Sequence, residues 1–162
     1  MSPIPEITTR HSVLIRISED ELDILKEIFD DADTRRFLPE LYELLNLPDG
    51  LRKFVSAFEL YTQNAEGYLW GVKHNNELVG FVAIMDLSDI PLLFYATHPN
   101  HRSCGYMKEA LCAILEYLSS KAIRKIATDV YKENNISINL LQQLGFCVCK
   151  EDDKKVYMFK AL

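Results

Sequence analysis

The sequence has no excess of basic residues. It holds 18 lysines and arginines against 24 aspartates and glutamates, which gives a net charge of -6 and an isoelectric point near 5.2. Non-specific binding to nucleic acid requires a basic surface, so this composition argues against it and we expect no nucleic-acid partner. The acidic balance mildly favours cationic partners and otherwise promotes solubility.

Long apolar runs are absent as well. The opening stretch "MSPIPEITTRHSVLIRISEDE" contains no segment long enough for a signal peptide or a membrane helix. We therefore expect a cytoplasmic protein that has no membrane partner.

Cysteine is scarce, and its spacing fits no zinc site. The four cysteines, Cys104, Cys112, Cys147 and Cys149, form no set with the histidines at metal-ligand spacing. We expect reduced thiols, most of them packed in the interior, and no bound metal.

The length and patterning of the chain predict one domain, residues 1–162, with a sizeable core. Seven stretches are patterned as strands and about five as helices. The predicted strands are HSVLIRI, GYLWGV, LVGFVAIMD, LLFYAT, RKIATDV, FCVCK and KKVYMFKAL. The predicted helices are LDILKEIF, TRRFLPELYELL, LRKFVSAFELYTQ, a segment over about 105–120, and NNISINLLQQL.

The order of these elements predicts the sheet. LLFYAT, the helix over about 105–120 and RKIATDV follow one another at the spacing of a βαβ unit. Such a unit makes its two strands parallel, with a right-handed crossover. The predicted fold class is α/β (α+β), a mixed and mostly antiparallel sheet with this βαβ unit at its centre.

Glycine is also scarce, with six residues, and one of them, Gly105, directly precedes a predicted helix. Gly105 joins the polar turn "HPNHRSC" to the helix that follows, where the first amides have no intrahelical partner and attract anions. Gly105 lets a phosphate approach without a Cβ in the way, and Arg102 adds a charged hydrogen bond. The turn is neither a Walker motif nor a dinucleotide fingerprint. The alternative is a tight strand-to-helix turn with Arg102 in solvent.

A second motif, "ENNISINLLQQLGF", places Asn134 at a helix start and Ser137 one turn further on. Together with "HPNHRSCGYMKEAL", "TTRHSVLIRIS" and "LVGFVAI", it resembles the GNAT superfamily of acyl-CoA-dependent N-acyltransferases. The resemblance covers essentially the whole chain, and it is strongest to the branch of ribosomal-protein N-terminal acetyltransferases. The family signature Arg/Gln-x-x-Gly-x-Gly/Ala is matched at Arg102 and Gly105, whereas Met107 replaces its small third residue.

The resemblance implies acetyl-CoA as cosubstrate, with its pyrophosphate held by the amides of residues 102–107. In this family the two strands of the βαβ unit splay apart, and the pantetheine arm pairs with backbone of the first strand. An amide near Thr97 would polarise the thioester carbonyl. The side chain of Met107 either crowds the pyrophosphate or points into the core. The implied cofactor-binding residues are Tyr95, Ala96, Thr97, Arg102, Ser103, Cys104, Gly105, Tyr106, Met107, Asn134 and Ser137.

The familiar catalytic positions of the family are occupied by leucines. Leu92 stands where many relatives have a glutamate base, and Leu141 where many have a tyrosine acid. Asp129, near the end of RKIATDV, is the substitute base, and the alternative is a solvated strand-end carboxylate. Ser137 is the substitute donor to the thiol, and the alternative is a helix serine bonded to backbone.

The sequence therefore predicts an acetyl-CoA-dependent N-acetyltransferase in which an amine attacks the thioester directly within a ternary complex. A GNAT-fold module that binds acyl-CoA without catalysis is the first alternative, and an unrelated nucleotide-binding α/β domain is the second. The acceptor is left open between a protein N-terminus, a polyamine and an antibiotic or amino-acid amine. By family analogy, "DDADTRRFLPEL" forms one wall of its pocket. The protein is expected to be a monomer or a homodimer.

Overall fold

A mixed sheet of eight strands organises the chain in the computed structural model, which describes residues 4–162. The strands are β1 (Ile7–Thr8), β2 (Val13–Ile15), β3 (Tyr68–His74), β4 (Glu77–Met85), β5 (Leu92–Thr97), β6 (Lys125–Tyr131), β7 (Cys147–Glu151) and β8 (Lys155–Ala161). Their order in the sheet is β1-β2-β3-β4-β5-β6-β8-β7. Neighbouring strands run antiparallel except β5 and β6, which are parallel.

Helices cover both faces of this sheet. They are α1 (Leu22–Asp30), α2 (Ala32–Phe37), α3 (Pro39–Glu43), α4 (Gly50–Gln63), α5 (Tyr106–Ser120) and α6 (Asn135–Gln143). Consecutive side chains of a strand point to opposite faces, and β4 shows the result. Phe81 is buried with Phe29 and Phe58 of α1 and α4, whereas Val82 is buried with Leu111 of α5. Each face of the sheet therefore has its own hydrophobic core.

The structure has one strand and one α-helix more than the predicted seven and about five. The added strand, β1, is only two residues long and is too short to show a pattern in sequence. The added helix arises because the predicted segment TRRFLPELYELL is interrupted at Pro39. A proline disfavours helical backbone in the residue before it, and Leu38 has φ -135° and ψ 59°. The segment therefore forms two short helices, α2 and α3.

The predicted βαβ unit is present, and its two strands separate after a short contact. The Cα atoms of Leu92 and Ala127 form the register pair between β5 and β6. Beside this pair, the amide of Ala127 donates to the carbonyl of Pro91 at 2.8 Å. The next outward carbonyl, that of Leu93, accepts a hydrogen bond from the buried Thr128 hydroxyl at 2.8 Å. A side chain thus replaces a backbone partner at the point where the strands diverge.

Replacing Thr128 with valine tests the importance of this side-chain bond. Valine keeps nearly the same volume but leaves the Leu93 carbonyl without its hydroxyl donor in the interior. We expect Thr128→Val to lower the free energy of unfolding by about 1–3 kcal/mol, measured by urea denaturation. Thr8→Val, at an exposed position of β1, is the control and should change stability by less than about 0.5 kcal/mol. Equal stabilities for the two variants would contradict the role given to Thr128.

The cysteines do not occupy the core. All four are free, as predicted, but all four are exposed, so the expectation that most of them pack in the interior is wrong. Cys147 and Cys149 lie on β7, which forms the edge of the sheet and is exposed along its whole length. Among residues 4–162, no helix is both long enough and apolar enough to cross a membrane.

Candidate functional site

A cleft of about 400 Å³ opens where β5 and β6 diverge, and we refer to it as the β5–β6 cleft. Helices α2, α5 and α6 and the turn that precedes α5 contribute the rest of its wall. Within residues 4–162 no cluster of histidine, cysteine, aspartate and glutamate could hold a metal ion. Of the predicted site residues, all but Cys104 line the cleft: Tyr95, Ala96, Thr97, Arg102, Ser103, Gly105, Tyr106, Met107, Asp129, Asn134 and Ser137.

The hydrogen-bond ladder decides which backbone groups of β5 face the cleft. His98 donates its amide to the carbonyl of Val79 in β4 at 2.8 Å, which fixes the phase of the antiparallel ladder. Alternation then turns the N–H and C=O of Ala96 toward β4, and those of Tyr95 and Thr97 toward the cleft. Of the three residues predicted to offer backbone to a ligand, Tyr95 and Thr97 are the ones placed to do so.

The N-terminus of α5 forms one end of the cleft. Gly105 is its N-cap, with φ +82°, and a Cβ added there would meet no atom within 4 Å. Ser103 also has a positive φ, of 62°. Two left-handed residues in the turn and the unpaired first amides of the helix make a concave surface that favours an anion. The space over Gly105 is free to receive one.

Met107 does not obstruct this end of the cleft. Its side chain is buried, and its Cε lies so close to Gly80 of β4 that a Cβ on Gly80 would be 3.1 Å away. Met107 therefore points into the core between α5 and the sheet, which is the second of the two orientations left open by the sequence.

Arg102 is held by two carboxylates of the α1–α2 corner. Its Nη2 lies 2.5 Å from Asp31 Oδ2, and its Nη1 lies 3.5 Å from Asp33 Oδ2. Asp31 also caps α2 by accepting the amides of Asp33 and Thr34 at 3.2 and 3.1 Å. Burial alone would raise the pKa of Asp31, but the bonds from Arg102 and Thr34 hold it below its ordinary value. Arg102 thus joins the α5 turn to α2, and no local sequence pattern signals this pairing.

The start of α6 carries the second motif. Asn134 caps the helix, with Oδ1 accepting the amide of Ser137 at 3.2 Å. The hydroxyl of Ser137 lies 2.5 Å from that of Tyr95 on β5. Burial raises the pKa of Tyr95 to about 12, and the hydrogen bond with Ser137 acts in the opposite direction. Ser137 is therefore bonded to a tyrosine side chain 42 positions away, a partner that no local sequence pattern signals.

Asp129 lies on the opposite face of β6 from its buried neighbours Thr128 and Val130, as the alternation of the strand predicts. Its side chain is 51% exposed, and its Oδ2 lies 3.6 Å from Lys155 Nζ. The two leucines supply no acid or base: Leu141 is fully buried in the core, and Leu92 is an apolar, 41% exposed residue of β5. Asp129 is the carboxylate that β6 presents to the cleft.

Comparison with known proteins identifies the family. A sequence model of the acetyltransferase (GNAT) family matches residues 25–146. The chain belongs to the GNAT acetyltransferase family. Among curated members, it is 27% identical over 116 residues to the uncharacterized N-acetyltransferase YycN of Bacillus subtilis (strain 168), a match that covers 68% of this chain and 72% of YycN.

Solved structures confirm that this GNAT protein has the fold of the family. One is the acetyltransferase of Salmonella typhimurium that modifies the N-terminal serine of 50S ribosomal subunit protein L7/L12. It superposes with a TM-score of 0.80 at 15% identity, covering 98% of this chain and 99% of that one. Another is the PaiA N-acetyltransferase of Thermoplasma acidophilum in complex with coenzyme A. Its TM-score is 0.70 at 15% identity, with 92% of this chain and 98% of that one covered.

Proposed function

We propose that this GNAT protein is an acetyl-CoA-dependent N-acetyltransferase that acts on an amine. The observation that carries the proposal is the β5–β6 cleft, where the open space over Gly105 continues into the outward backbone groups of Tyr95 and Thr97. An anion site and a free strand edge in one cleft suit a molecule with a pyrophosphate and an amide-containing arm. The coenzyme A complex of the Thermoplasma relative supports the same ligand.

The residues of the cleft fit this cosubstrate. The turn of residues 102–107 would hold the pyrophosphate through its amides, since Gly105 leaves room there and Met107 points away. Tyr95 and Thr97 would bond the pantetheine arm through backbone, and Asn134 would fix the start of α6 beside it. When bound, the thioester supplies an activated acetyl group.

The side chains around the cleft can assist acyl transfer to an amine. An amine must lose a proton to attack, and Asp129, which lines the cleft, would accept it directly or through water. The amide of Thr97 would stabilise the negative charge that develops on the carbonyl oxygen, a contribution of about 3 kcal/mol for such a donor. The hydroxyl of Ser137 would donate a hydrogen bond to the leaving sulfur.

The acceptor enters, in this proposal, along the side of the cleft formed by α2. Asp33, Thr34 and Phe37 line that side, and Asp129 lines the cleft from β6. Two carboxylates that line one cleft favour a cationic amine, which matches the group to be acetylated.

Thermal unfolding with separate ligands tests the proposal. A ligand at 100 times its dissociation constant should stabilise the fold by about 2.7 kcal/mol. We expect acetyl-CoA and coenzyme A to raise the melting temperature of the protein, and we expect ATP to leave it unchanged. A screen of protein N-termini, polyamines and amino-acid amines, read by release of free thiol, would then identify the acceptor.

The other outcomes select the alternatives. Stabilisation by coenzyme A without thiol release for any amine would indicate a binding module, for which the leucines at positions 92 and 141 are the supporting feature. Stabilisation by ATP in preference to coenzyme A would indicate a nucleotide-binding domain. No shift with any ligand would contradict the proposed cleft.

A further inference from the structure

The contacts proposed between Tyr95 and the cosubstrate use its backbone and leave its side-chain hydroxyl without a role. The residue offers its N–H and C=O to the cleft from β5, and its side chain reaches toward α6 on the far side. The hydroxyl ends 2.5 Å from Ser137 Oγ, across 42 positions of sequence. A contact this short between two elements that line one cleft fixes the two hydroxyl groups relative to each other.

The same region lacks the acid that many relatives carry on this helix. Leu141, at that position, is fully buried in the core and offers no proton. Ser137 alone is a poor donor, because a free serine hydroxyl rotates among several orientations and is a weak acid. A hydrogen bond from the hydroxyl of Tyr95 on β5 would fix the orientation of the Ser137 hydroxyl and make it a stronger donor.

We propose that Tyr95 is a positioning residue for acyl transfer: its hydroxyl donates to Ser137 Oγ and thereby directs the Ser137 hydroxyl at the leaving sulfur. This inference rests on the proposed function, since it needs a thioester in the cleft. A phenol is a stronger acid than an alcohol, so the chain of donors runs from Tyr95 to Ser137 and then to sulfur.

The pKa of Tyr95 is consistent with a hydroxyl that always donates to Ser137. A pKa of about 12 keeps the Tyr95 hydroxyl protonated throughout the neutral range, so the donor chain is present whenever the site is filled.

In the transfer step the amine nitrogen bonds to the carbonyl carbon while the carbon–sulfur bond breaks, and the electron pair remains on sulfur. The amine proton passes to Asp129 or water. Ser137 keeps its own proton, and solvent protonates the thiolate as the product leaves.

Titration of the coenzyme A thiol in the complex tests this arrangement without any acceptor. The difference in ultraviolet absorbance between the complex and the free protein reports the coenzyme A thiolate as pH is raised, for the native protein and for Tyr95→Phe and Ser137→Ala; the difference removes the contribution of the four free cysteines. Both substitutions should raise the pKa of the bound thiol, with a fall of about tenfold in thiolate fraction at a fixed pH below that pKa. The other titratable or charged side chains that line the cleft are unchanged in every variant, so the difference reports the two hydroxyl groups; they are Asp33, His101, Arg102, Tyr106, Lys108 and Asp129.

Tyr117→Phe is the matched control. Tyr117 lies on α5 with its pKa also raised to about 12 by burial, and its ring packs against Tyr68 and Trp70. Its hydroxyl does not line the cleft, so its removal should leave the bound thiol unchanged. The double variant of Tyr95 and Ser137 should match Ser137→Ala alone, because Tyr95 acts through Ser137.

The outcomes separate this inference from the proposed function. If thermal unfolding shows no coenzyme A binding by the native protein, the proposed function fails and this inference fails with it. If coenzyme A binds and Tyr95→Phe leaves the pKa of its thiol unchanged, the inference fails while the proposed function stands. Equal shifts for Tyr95→Phe and Tyr117→Phe would also overturn it, because they would show a general structural effect.

Discussion

An Asp129→Asn variant is expected to bind coenzyme A as tightly as the native protein and to transfer acetyl groups about 10²–10⁴-fold more slowly. The amide keeps the size of the side chain but cannot accept the amine proton. Because the base acts only on the reacting amine, kcat should carry the loss while affinity for the cosubstrate is preserved. Thiol release under saturating acetyl-CoA and a separate binding titration measure the two quantities.

Asp30→Asn provides the control for this substitution. Asp30 lies on α1, is 44% exposed and is bonded to Lys26 at 2.6 Å, so its exposure and its lysine partner resemble those of Asp129. It does not line the β5–β6 cleft, and its replacement should leave turnover unchanged. Normal turnover of Asp129→Asn would remove the carboxylate from the mechanism and leave the proton to water.

Gly105→Ala is expected to reduce affinity for coenzyme A by about 100-fold, the equivalent of one lost hydrogen bond to a charged group. Its Cβ would enter the open space over the α5 amides, where the pyrophosphate is proposed to bind. Because that space contains no protein atom within 4 Å, the cost to folding comes only from the positive φ of +82°, about 1–2 kcal/mol. Calorimetric titration and thermal unfolding measure the two effects separately.

Gly145→Ala is matched to this variant in backbone strain. Gly145 has φ +96°, and the atom nearest to an added Cβ is Lys160 Nζ, the mobile end of a long side chain. The two variants should lose similar stability, but Gly145→Ala should bind coenzyme A normally because it lies outside the cleft. Comparable losses of affinity in both would indicate that strain, and not the filled space, weakens binding.

Periodicity and turn chemistry account for most of what the sequence predicted correctly. The short apolar runs LVGFVAIMD and LLFYAT, bounded by turn residues, form strands β4 and β5, and the polar turn with Gly105 precedes the start of α5. Such signals are local, because they depend on residues close together in the chain. The two-residue strand β1 was missed since two residues carry no period, and its pairing with β2 is formed by tertiary context.

The same reasoning could not predict which side chains bond to one another across the fold. Arg102 was predicted to face an anion, and the structure bonds it to Asp31, 71 positions earlier. Ser137 was predicted to face a thiol or its own backbone, and the structure bonds it to Tyr95. A sequence pattern tells which face of an element a residue occupies, but the partner on that face depends on how distant elements pack.

The divergence of β5 from β6 also bears on how the protein avoids association with other chains. An unpaired strand edge normally templates the addition of a foreign strand and leads to aggregation. Here the free edge of Tyr95 and Thr97 lies inside a cleft walled by α2, α5 and α6, and not at the border of the sheet. Because β6 lies on the other side of this edge in the sheet, the edge is not an outer one to which a foreign strand could add. The fold thus keeps unpaired backbone groups within the sheet and not at its border.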